Sequence, residues 1–570
     1  MVALIVALGG FLLGFDGVVN SGAIPFYTVA FGIADKPFVV GLSAGAIILG
    51  AIIGNLSAGV LSDALGRKPS LFITAVLFMA GALGTALATS IALFIAAKVV
   101  AGLGVGIAIL IAPVYIAEIA PPNLRGKLVT FNQLNIVIGL SVAYFSNYYI
   151  LQLIDNPDMN WRWMLGVGFF PALLYAALLF YIPESPRWLL AKGRTQQAKR
   201  VLERAGGIVH AQKELASIQG NLQAEKSLQA SQGRATLAQV FSKKMKFVLL
   251  IGFALAFFQQ TSGINAILYY APMIFEAAGG TRDAAFMQAI IVGLVFTVMT
   301  VVSMALIDRL GRKPLLVIGT SVMAAFLVLV SVAFFQASYN LSHEAAAQVG
   351  QTVLNQGVVA AASQSNPAAY QHDSLHIGPN EAQLFKGGTL LVTVNMNSPA
   401  LRQTQTEVQQ LGHSLAGITG KSFNSELAFF EAIKAALAPN DAATVARYSA
   451  TYKPLLLNES IAINSVLVLV GILGFIAGFS ISLGPVMWTM LSEIFPNKLR
   501  GLAISVVGAI NALTSFTVAT LFPGELEYIG SAGTFLIFGV FMVLCLLFVL
   551  RYVPETKGKS LEEIETELVR

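Results

Sequence analysis

The stretch Asp-Ala-Leu-Gly-Arg-Lys-Pro at residues 63–69 decides the fold, because it recurs almost unchanged as Asp-Arg-Leu-Gly-Arg-Lys-Pro at residues 308–314. Each copy follows one long apolar block and precedes another. The glycine permits a tight turn, and the basic residues hold the loop in water on one side of a membrane. The repeat therefore predicts two similar halves, each with a short basic loop between two membrane-spanning helices.

Two further motifs recur in the same order along the chain. They are Glu-Ile-Ala-Pro-Pro-Asn-Leu-Arg-Gly at 118–126, Glu-Ile-Phe-Pro-Asn-Lys-Leu-Arg-Gly at 493–501, Pro-Glu-Ser at 183–185 and Pro-Glu-Thr at 554–556. The first motif returns after 245 residues, the second after 375 and the third after 371. Three ordered repeats indicate two homologous halves, and the jump of 130 residues indicates an insertion within the second half.

Composition gives the class of the protein. The chain has 570 residues, of which 56% are hydrophobic and 11% charged, whereas soluble domains carry about 25% charged residues. The apolar residues come in blocks of the roughly 20 residues that a membrane-spanning helix needs. Because lipid offers the backbone no partners, such blocks form helices. We predict an all-α membrane protein with twelve transmembrane helices in two pseudo-symmetric six-helix halves.

The polar stretch at about 337–458, rich in Gln, Asn, Ser and Ala, is the predicted insertion between spans nine and ten. The basic segment from Arg187 to Lys246 predicts a cytoplasmic middle loop, which places both termini in the cytoplasm and the insertion outside it. The predicted domains are 1–183 (first half), 184–245 (linker with short amphipathic helices), 246–336 (spans 7–9), 337–458 (extracytoplasmic domain), 459–553 (spans 10–12) and 554–570 (cytoplasmic C-terminal helix).

The sequence also excludes several classes of protein. It contains no nucleophile–base set, metal-ligand cluster or nucleotide-binding loop, so it predicts neither an enzyme nor a bound cofactor or metal. The net charge of +6 follows the loops of a membrane protein and does not indicate a nucleic-acid partner. The expected partners are instead the lipid bilayer and a transported solute.

The repeated motifs, together with Gln259-Gln-Thr-Ser-Gly-Ile-Asn265 and Leu268-Tyr-Tyr-Ala-Pro272, resemble the sugar porter branch of the major facilitator superfamily. The resemblance covers the chain outside the insertion and is greatest to bacterial proton-coupled pentose and hexose symporters. It implies a secondary transporter in the bacterial plasma membrane that moves a monosaccharide by alternating access. A sugar sensor on the same fold is the rival from another class. The insertion is also a candidate carbohydrate-binding or partner-binding module.

A sugar requires amide side chains, which both donate and accept hydrogen bonds, and an aromatic surface. Gln259 and Gln260 cannot share one helix face, but Gln259 and Asn265 would line one cavity if the helix breaks near Gly263. Trp488 follows Gly-Pro at 484–485, a pair suited to a bending gate. The resemblance implies a substrate site of Gln133, Gln259, Gln260, Asn265, Tyr269, Trp488 and Asn511.

Asp16 lies in the middle of the first apolar block, where a charge costs about 2.5–3.5 kcal/mol on insertion scales. The resemblance implies that an acid here pairs with an Arg in span four and couples transport to protons. Lys98 stands at that Arg position, and Gly168 stands where xylose-type porters place a second acid. We predict proton symport through Asp16 and Lys98, with a static pair in a passive facilitator as the alternative.

The repeated loops also predict a cytoplasmic gate. Its ion pairs would latch helix ends together while the transporter is closed inside, and release when it opens; alternatively, they only fix the topology. The predicted gate residues are Asp63, Arg67, Glu118, Arg125, Asp308, Arg312, Glu493 and Arg500.

Overall fold

The computed structural model describes residues 2–120, 125–232, 236–437, 452, 455–496, 499–559, 563–564 and 568. Within these residues, twelve helical segments are long and apolar enough to cross a membrane, as predicted. We number them as spans 1 to 12: Val2–Ala30, Pro37–Leu65, Arg67–Ala86, Ile91–Ile119, Phe131–Leu153, Pro157–Leu179, Lys243–Ala277, Arg282–Ile307, Arg312–Phe335, Ser465–Ile494, Arg500–Tyr528 and Gly530–Tyr552.

The repeated basic loops turn at equivalent glycines. Gly66, between spans 2 and 3, has φ +104°, and Gly311, between spans 8 and 9, has φ +95°. A side chain strains this backbone conformation, and glycine adopts it readily. A Cβ atom at Gly66 would also lie 2.3 Å from Glu184 Oε2, and one at Gly311 would lie 2.8 Å from Glu555 Oε2. Each turn therefore requires glycine for its backbone and for the carboxylate packed against it.

Three spans are interrupted. Span 6 comprises helices Pro157–Gly166 and Phe169–Leu179. Span 7 comprises helices Lys246–Thr261 and Ile264–Ala277, separated at Gly263 (φ +83°), so the condition set for Gln259 and Asn265 to line one cavity is met. Span 10 comprises helices Ser465–Ile481 and Leu483–Ile494. Its break lies at Ser482 (φ −128°, ψ −101°), two residues before the predicted Gly-Pro pair. The helix tolerates Pro485 because a proline in the first turn of a helix has no hydrogen bond to lose.

The residues between spans 6 and 7 form the linker, and those between spans 9 and 10 form the insertion. Because three spans separate them, they lie at opposite ends of the bundle, which we call the linker end and the insertion end. The linker contains helices Pro186–Ala191, Thr195–Gln232, which is broken at Gly207, and Leu237–Val240, followed by a 3₁₀ turn at Lys243–Met245.

The two halves meet between spans 1 and 7, 2 and 11, and 5 and 8. Among the described residues, the side-chain hydrogen bonds between a span of one half and a span of the other extend from about the helix midpoints to the insertion end. The deepest joins Thr297 Oγ1 to the carbonyl of Val137 at 3.1 Å, and the outermost joins Gln152 Nε2 to Asp283 Oδ1 at 3.0 Å. These hydrogen bonds hold the two halves together from the middle of the bundle to the insertion end.

The insertion contains two antiparallel three-stranded sheets, in the orders β5-β1-β6 and β2-β3-β4. The strands are β1 Ser338–Asn340, β2 Ser374–Ile377, β3 Glu381–Lys386, β4 Thr389–Asn395, β5 Ser422–Phe423 and β6 Ile461–Ala462. Its helices are His343–Ser365, Pro399–Leu415 and Glu426–Leu437, with a 3₁₀ turn at Pro367–Gln371. Since Ser338 pairs with Ala462, this unit extends four residues beyond the predicted limit at residue 458.

The insertion rests on the second half of the bundle. Glu426 Oε2 accepts hydrogen bonds from the backbone N–H of Ser531 at 3.2 Å and from its hydroxyl at 2.8 Å. Ser531 lies in the first turn of span 12, where a carboxylate also interacts favourably with the helix dipole. Lys434 forms a salt bridge of 3.8 Å with Glu527 at the end of span 11. These contacts attach the insertion to spans 11 and 12.

Candidate functional site

Four of the predicted sugar-site amides form one network in the second half, in which Gln259, Gln260 and Asn511 are buried and Asn265 is partly buried. Gln260 Nε2 donates to Gln259 Oε1 at 3.2 Å and to Asn511 Oδ1 at 3.1 Å. Asn511 Nδ2 donates to Gln259 Oε1 at 2.8 Å, and Asn265 Nδ2 donates to Gln260 Oε1 at 2.9 Å. The break at Gly263 allows this arrangement, because it brings Asn265 back towards Gln260 from the second helix of span 7.

Gln259 and Gln260 do not share a helix face, yet both belong to this network. Adjacent helical side chains point about 100° apart, but Asn511 on span 11 lies between them and contacts both. A tertiary contact thus joins two side chains that the helix geometry separates.

Two partners of this network were not predicted. Gln259 Nε2 donates to the carbonyl of Leu483 at 2.7 Å, next to the break in span 10. Asn265 Nδ2 donates to Ser515 Oγ at 2.6 Å. Ser515 lies four residues after Asn511, so the helical spacing of span 11 would have indicated it. The carbonyl of Leu483 has no sequence signal of its own apart from its place just before Gly-Pro.

The N–H groups and carboxamide oxygens that the network leaves free determine which ligand it can bind. Both N–H groups of Gln260 are used within the protein, and so are both of Asn511, whose second bond reaches the carbonyl of Ala256 at 3.0 Å. Gln259 uses one N–H of its two, which leaves a donor, and carboxamide oxygens retain acceptor sites. A ligand with hydroxyl groups can use both, because each hydroxyl donates and accepts.

The other predicted sugar-site residues lie apart from this network. Trp488 is 42% exposed, and Gln133 is also exposed. Both lie on the linker-end portions of their spans. Tyr269 is partly buried and packs against the cluster of Ile47 and Ile48 on span 2 and Ala519 on span 11. The neighbour of Gln133, Asn132, is instead buried, and its Oδ1 lies 2.8 Å from the Cβ position of Gly10.

The predicted proton-coupling pair lies within the first half, with Lys98 buried and Asp16 partly buried. Lys98 is 2% exposed, and its charge interacts with that of Asp16. No nitrogen–oxygen pair within 4.0 Å joins them among the described residues. Asp16 Oδ2 is buried without a hydrogen-bond partner, and Asp16 also interacts electrostatically with Tyr269 across the two halves. The carboxylate is therefore near Lys98 but is not locked to it.

The predicted gate residues of the first half form a cluster that includes a residue the sequence analysis did not assign. Arg67 Nε and Nη2 donate to the two oxygens of Glu118 at 3.0 Å each, and Arg67 Nη1 lies 3.4 Å from Asp63 Oδ1. Glu184 accepts backbone hydrogen bonds from Arg67 at 2.9 Å and from Lys68 at 3.2 Å. It thereby satisfies free N–H groups at the start of span 3.

The second half repeats this cluster. Arg312 Nη2 donates to Glu493 Oε1 at 2.8 Å, and Glu555 accepts from the backbone N–H groups of Arg312 and Lys313 at 3.1 and 3.0 Å. Thr556 Oγ1 donates to Glu493 Oε2 at 2.5 Å, as Ser185 does to Glu118 at 2.5 Å. The repeat of Pro-Glu-Ser as Pro-Glu-Thr was the sequence signal for Glu184 and Ser185 in the first cluster and for Glu555 and Thr556 in the second.

Three predicted gate residues stand outside these contacts. Arg500 Nε donates to the carbonyl of Phe495 at 3.3 Å and has no described bond to Glu493. The side chains of Arg125 and Asp308 lie outside the described part of the structure. Each described ion pair of these clusters joins residues of the same half.

Burial changes the pKa of one acid of the first cluster, Glu184. It raises the pKa of Glu184 above its ordinary value of 4.5, although the backbone N–H groups of Ser185, Arg67 and Lys68 and the charge of Arg67 oppose the rise. Desolvation disfavours the charged form, whereas hydrogen bonds to the carboxylate favour it.

Comparison with known proteins agrees with this architecture. A family model described as sugar (and other) transporter matches residues 2–361 and 443–568, and omits only a stretch within the insertion. The chain is 30% identical over 561 residues to the arabinose-proton symporter of Bacillus subtilis, covering 98% of this chain and 92% of the relative. It is 32% identical over 573 residues to the galactose-proton symporter of Escherichia coli, covering 100% and 94%.

Solved structures give the same fold. The inward open conformation of the xylose transporter XylE from E. coli superposes with a TM-score of 0.66 and 26% identity, covering 99% of each chain. Its partially occluded inward open conformation has a TM-score of 0.65 and 26% identity, covering 98% of each chain. Twelve spans in two halves, a buried amide network at a broken helix and the family match lead to one conclusion: the chain belongs to the sugar porter family of the major facilitator superfamily.

Proposed function

We propose that this protein is a monosaccharide–proton symporter that works by alternating access. The observation that carries the proposal is the amide network around the break in span 7. Gln259, Gln260, Asn265 and Asn511 concentrate four carboxamides in a largely apolar bundle, near the middle of their spans. Polar side chains inside a membrane are costly and mark substrate pathways, and carboxamides match the hydroxyl groups of a sugar.

The substrate class is a pentose or hexose. Arabinose and galactose appear in the names of the relatives, and these sugars differ by one carbon and its hydroxyl. The exposed Trp488 and Gln133 supply an aromatic face and a further amide on the linker side of the network. We propose that rocking of the halves brings Gln133 on span 5 towards the sugar that the second half holds.

Proton coupling rests on Asp16 and Lys98. A carboxylate that is near a cation without a direct contact exchanges its proton more readily than one held in a bidentate pair. The electrostatic interaction of Asp16 with Tyr269 links the proton site of the first half to span 7 of the second. The charge on Asp16 is thereby sensed at the interface that must move.

The protein acts in the bacterial inner membrane, with the linker end and both termini in the cytoplasm and the insertion outside. The Lys and Arg content of the linker supports this orientation. The arrangement of the spans then corresponds to an inward-facing state. The ion pairs of both gate clusters are formed and hold helix ends of the same half together; their release when the transporter opens stays a prediction.

Purified protein in proteoliposomes tests the proposal. Uptake of radiolabelled L-arabinose, D-xylose, D-galactose and D-glucose is measured with and without an inward proton gradient. We expect one of these sugars to accumulate uphill only when the gradient is present. Uptake that only reaches equilibrium and does not respond to the proton gradient would indicate a passive facilitator instead of a symporter. Specific binding without flux would indicate a sensor, and absence of binding would refute the sugar site.

The variant Asp16→Asn separates coupling from sugar transport. It removes the titratable carboxyl but keeps its shape, so we expect uphill accumulation to be lost while exchange of labelled for unlabelled sugar continues. Lys98→Arg serves as the matched variant, because it keeps the cation and should retain accumulation. Accumulation that survives Asp16→Asn contradicts the assignment of Asp16.

A further inference from the structure

A chain of three buried side chains runs from span 1 to span 2 in the first half, on the insertion side of Asp16. Asn20 Nδ2 lies 3.4 Å from Tyr27 Oη, and Tyr27 Oη lies 2.8 Å from Ser43 Oγ. Ser43 Oγ donates to the carbonyl of Val40 at 2.7 Å. Asn20 is 4% exposed, and Tyr27 and Ser43 are fully buried.

The direction of every hydrogen bond in this chain is fixed. Ser43 has one hydroxyl hydrogen and gives it to Val40, so it accepts from Tyr27. Tyr27 gives its only hydrogen to Ser43 and therefore accepts from Asn20. The atom of Asn20 that faces Tyr27 must then be the amide nitrogen. The chain thus orients the carboxamide and leaves Oδ1 as the atom that points away from Tyr27.

That oxygen has no partner. Asn20 Oδ1 and Asp16 Oδ2 are both buried without a hydrogen-bond partner among the described residues. Positions 16 and 20 are four apart on an uninterrupted part of span 1, so they share a face with their Cβ atoms about 5–6 Å apart. Two acceptors cannot bond to each other. An ionised carboxylate only accepts, whereas a protonated carboxyl group also donates one hydrogen bond.

We propose that Asn20 is a positioning residue for the proton-loaded state, in which the protonated carboxyl group of Asp16 donates its hydrogen bond to Asn20 Oδ1. This inference rests on the proposed symport. Lys98 stabilises the ionised carboxylate, and Asn20 stabilises the neutral acid, so the two sides of Asp16 favour opposite protonation states. Tyr27 and Ser43 act through Asn20 by keeping its oxygen turned toward the carboxyl group.

The groups that face Asp16 from neighbouring elements are few. Among the described residues, Lys98 on span 4 and Tyr269 on span 7 interact with its charge. The Tyr175 hydroxyl on span 6 faces Gly9, two helical turns below Asp16. A change in the pH at which Asp16 titrates can therefore be assigned to Asn20 when Lys98, Tyr269 and Tyr175 are all kept as in the wild type.

The test measures sugar counterflow in proteoliposomes at equal pH on both sides, from pH 5 to 9, with the sugar that the wild type accumulates. We expect the rate to fall as Asp16 loses its proton. In Asn20→Leu, which keeps the volume but removes the acceptor, the midpoint of this profile should move about half to one pH unit toward acid. Tyr27→Phe should shift it in the same direction, because the freed amide can then turn its N–H groups toward Asp16.

Two controls separate this role from a structural one. Thr28→Val removes another buried hydroxyl of span 1, which bonds only to the carbonyl of Ile24 at 2.7 Å, and should leave the midpoint unchanged. In an Asp16→Asn background, counterflow should be insensitive to pH with or without Asn20→Leu.

If the midpoints of Asn20→Leu and Tyr27→Phe coincide with the wild type, the inference fails while the symport stands. If Asn20→Leu does not fold, Tyr27→Phe decides alone. A wild type without proton-driven uptake would instead refute the proposed function.

Discussion

Gly263 is the residue on which the geometry of the sugar site depends most directly. Its φ of +83° interrupts span 7, and the Cβ of an alanine there would lie 2.4 Å from the Phe538 ring. The left-handed conformation costs an L-residue about 1–2 kcal/mol, and overpacking costs about 1–3 kcal/mol. We therefore expect Gly263→Ala to lower the free energy of unfolding by about 2–5 kcal/mol.

The variant should also weaken sugar binding. If the backbone relaxes toward a continuous helix, Asn265 turns away from Gln260 and their 2.9 Å hydrogen bond is lost. The loss of one such bond reduces affinity by roughly two- to tenfold. Thermal unfolding in detergent and isothermal titration with the transported sugar measure the two effects.

Gly59→Ala is the matched control, because Gly59 lies within a helix and a Cβ there meets nothing within 4 Å. It should be neutral or stabilise the protein by about 0.5–1 kcal/mol. The reasoning is wrong if Gly263→Ala unfolds and binds sugar like the wild type, or if Gly59→Ala loses as much stability.

Two further predictions concern the linker-end clusters. Glu118→Gln removes the charge that accepts two hydrogen bonds from Arg67 and should cost about 1–3 kcal/mol in thermal unfolding. Asp63→Asn touches the same Arg67, but the Asp63 side chain is 82% exposed, so it should cost about 0–1 kcal/mol; equal losses would contradict the geometry. Burial raises the pKa of Glu184 above 4.5, so its contribution to stability is present below pH 4.5 and is lost as the pH rises through the folded value. Glu184→Gln should flatten that part of the stability–pH curve, and an unchanged curve would show that Glu184 does not cause it.

Several features of the fold could be predicted because their causes are local. A membrane span requires about 20 apolar residues in succession, so the twelve spans are visible in the sequence alone. The glycines of the basic loops and Gly263 were predictable because they mark backbone turns. The Pro-Glu-Ser repeat was visible as well, but not the roles of Glu184 and Ser185, because the groups they bind lie at the ends of spans 3 and 4.

The candidate site also has features that the sequence could predict and features that it could not. Its amides were recognised from their residue types and their positions within apolar blocks. Their connections were not: Asn511 is 251 residues from Gln260, and its contact with both glutamines depends on how span 11 packs against span 7. Conversely, Gln133 and Trp488 carry the right chemistry but make no described hydrogen bond to the network: Gln133 belongs to the other half, and Trp488 is 42% exposed on span 10.

By itself, the sequence determined that this chain forms twelve spans in two homologous halves, with basic turns at one end, an insertion at the other and an acid within the first span. Apolar length, turn chemistry and internal repetition act along neighbouring residues, so a linear reading detects them. Only the tertiary structure decided which amides meet across the break at Gly263, that Asp16 lies near Lys98 without a direct bond, and that Tyr27 orients Asn20. Hydrogen bonds require partners within about 3 Å, and in a helical bundle most such partners come from spans that are distant in the chain.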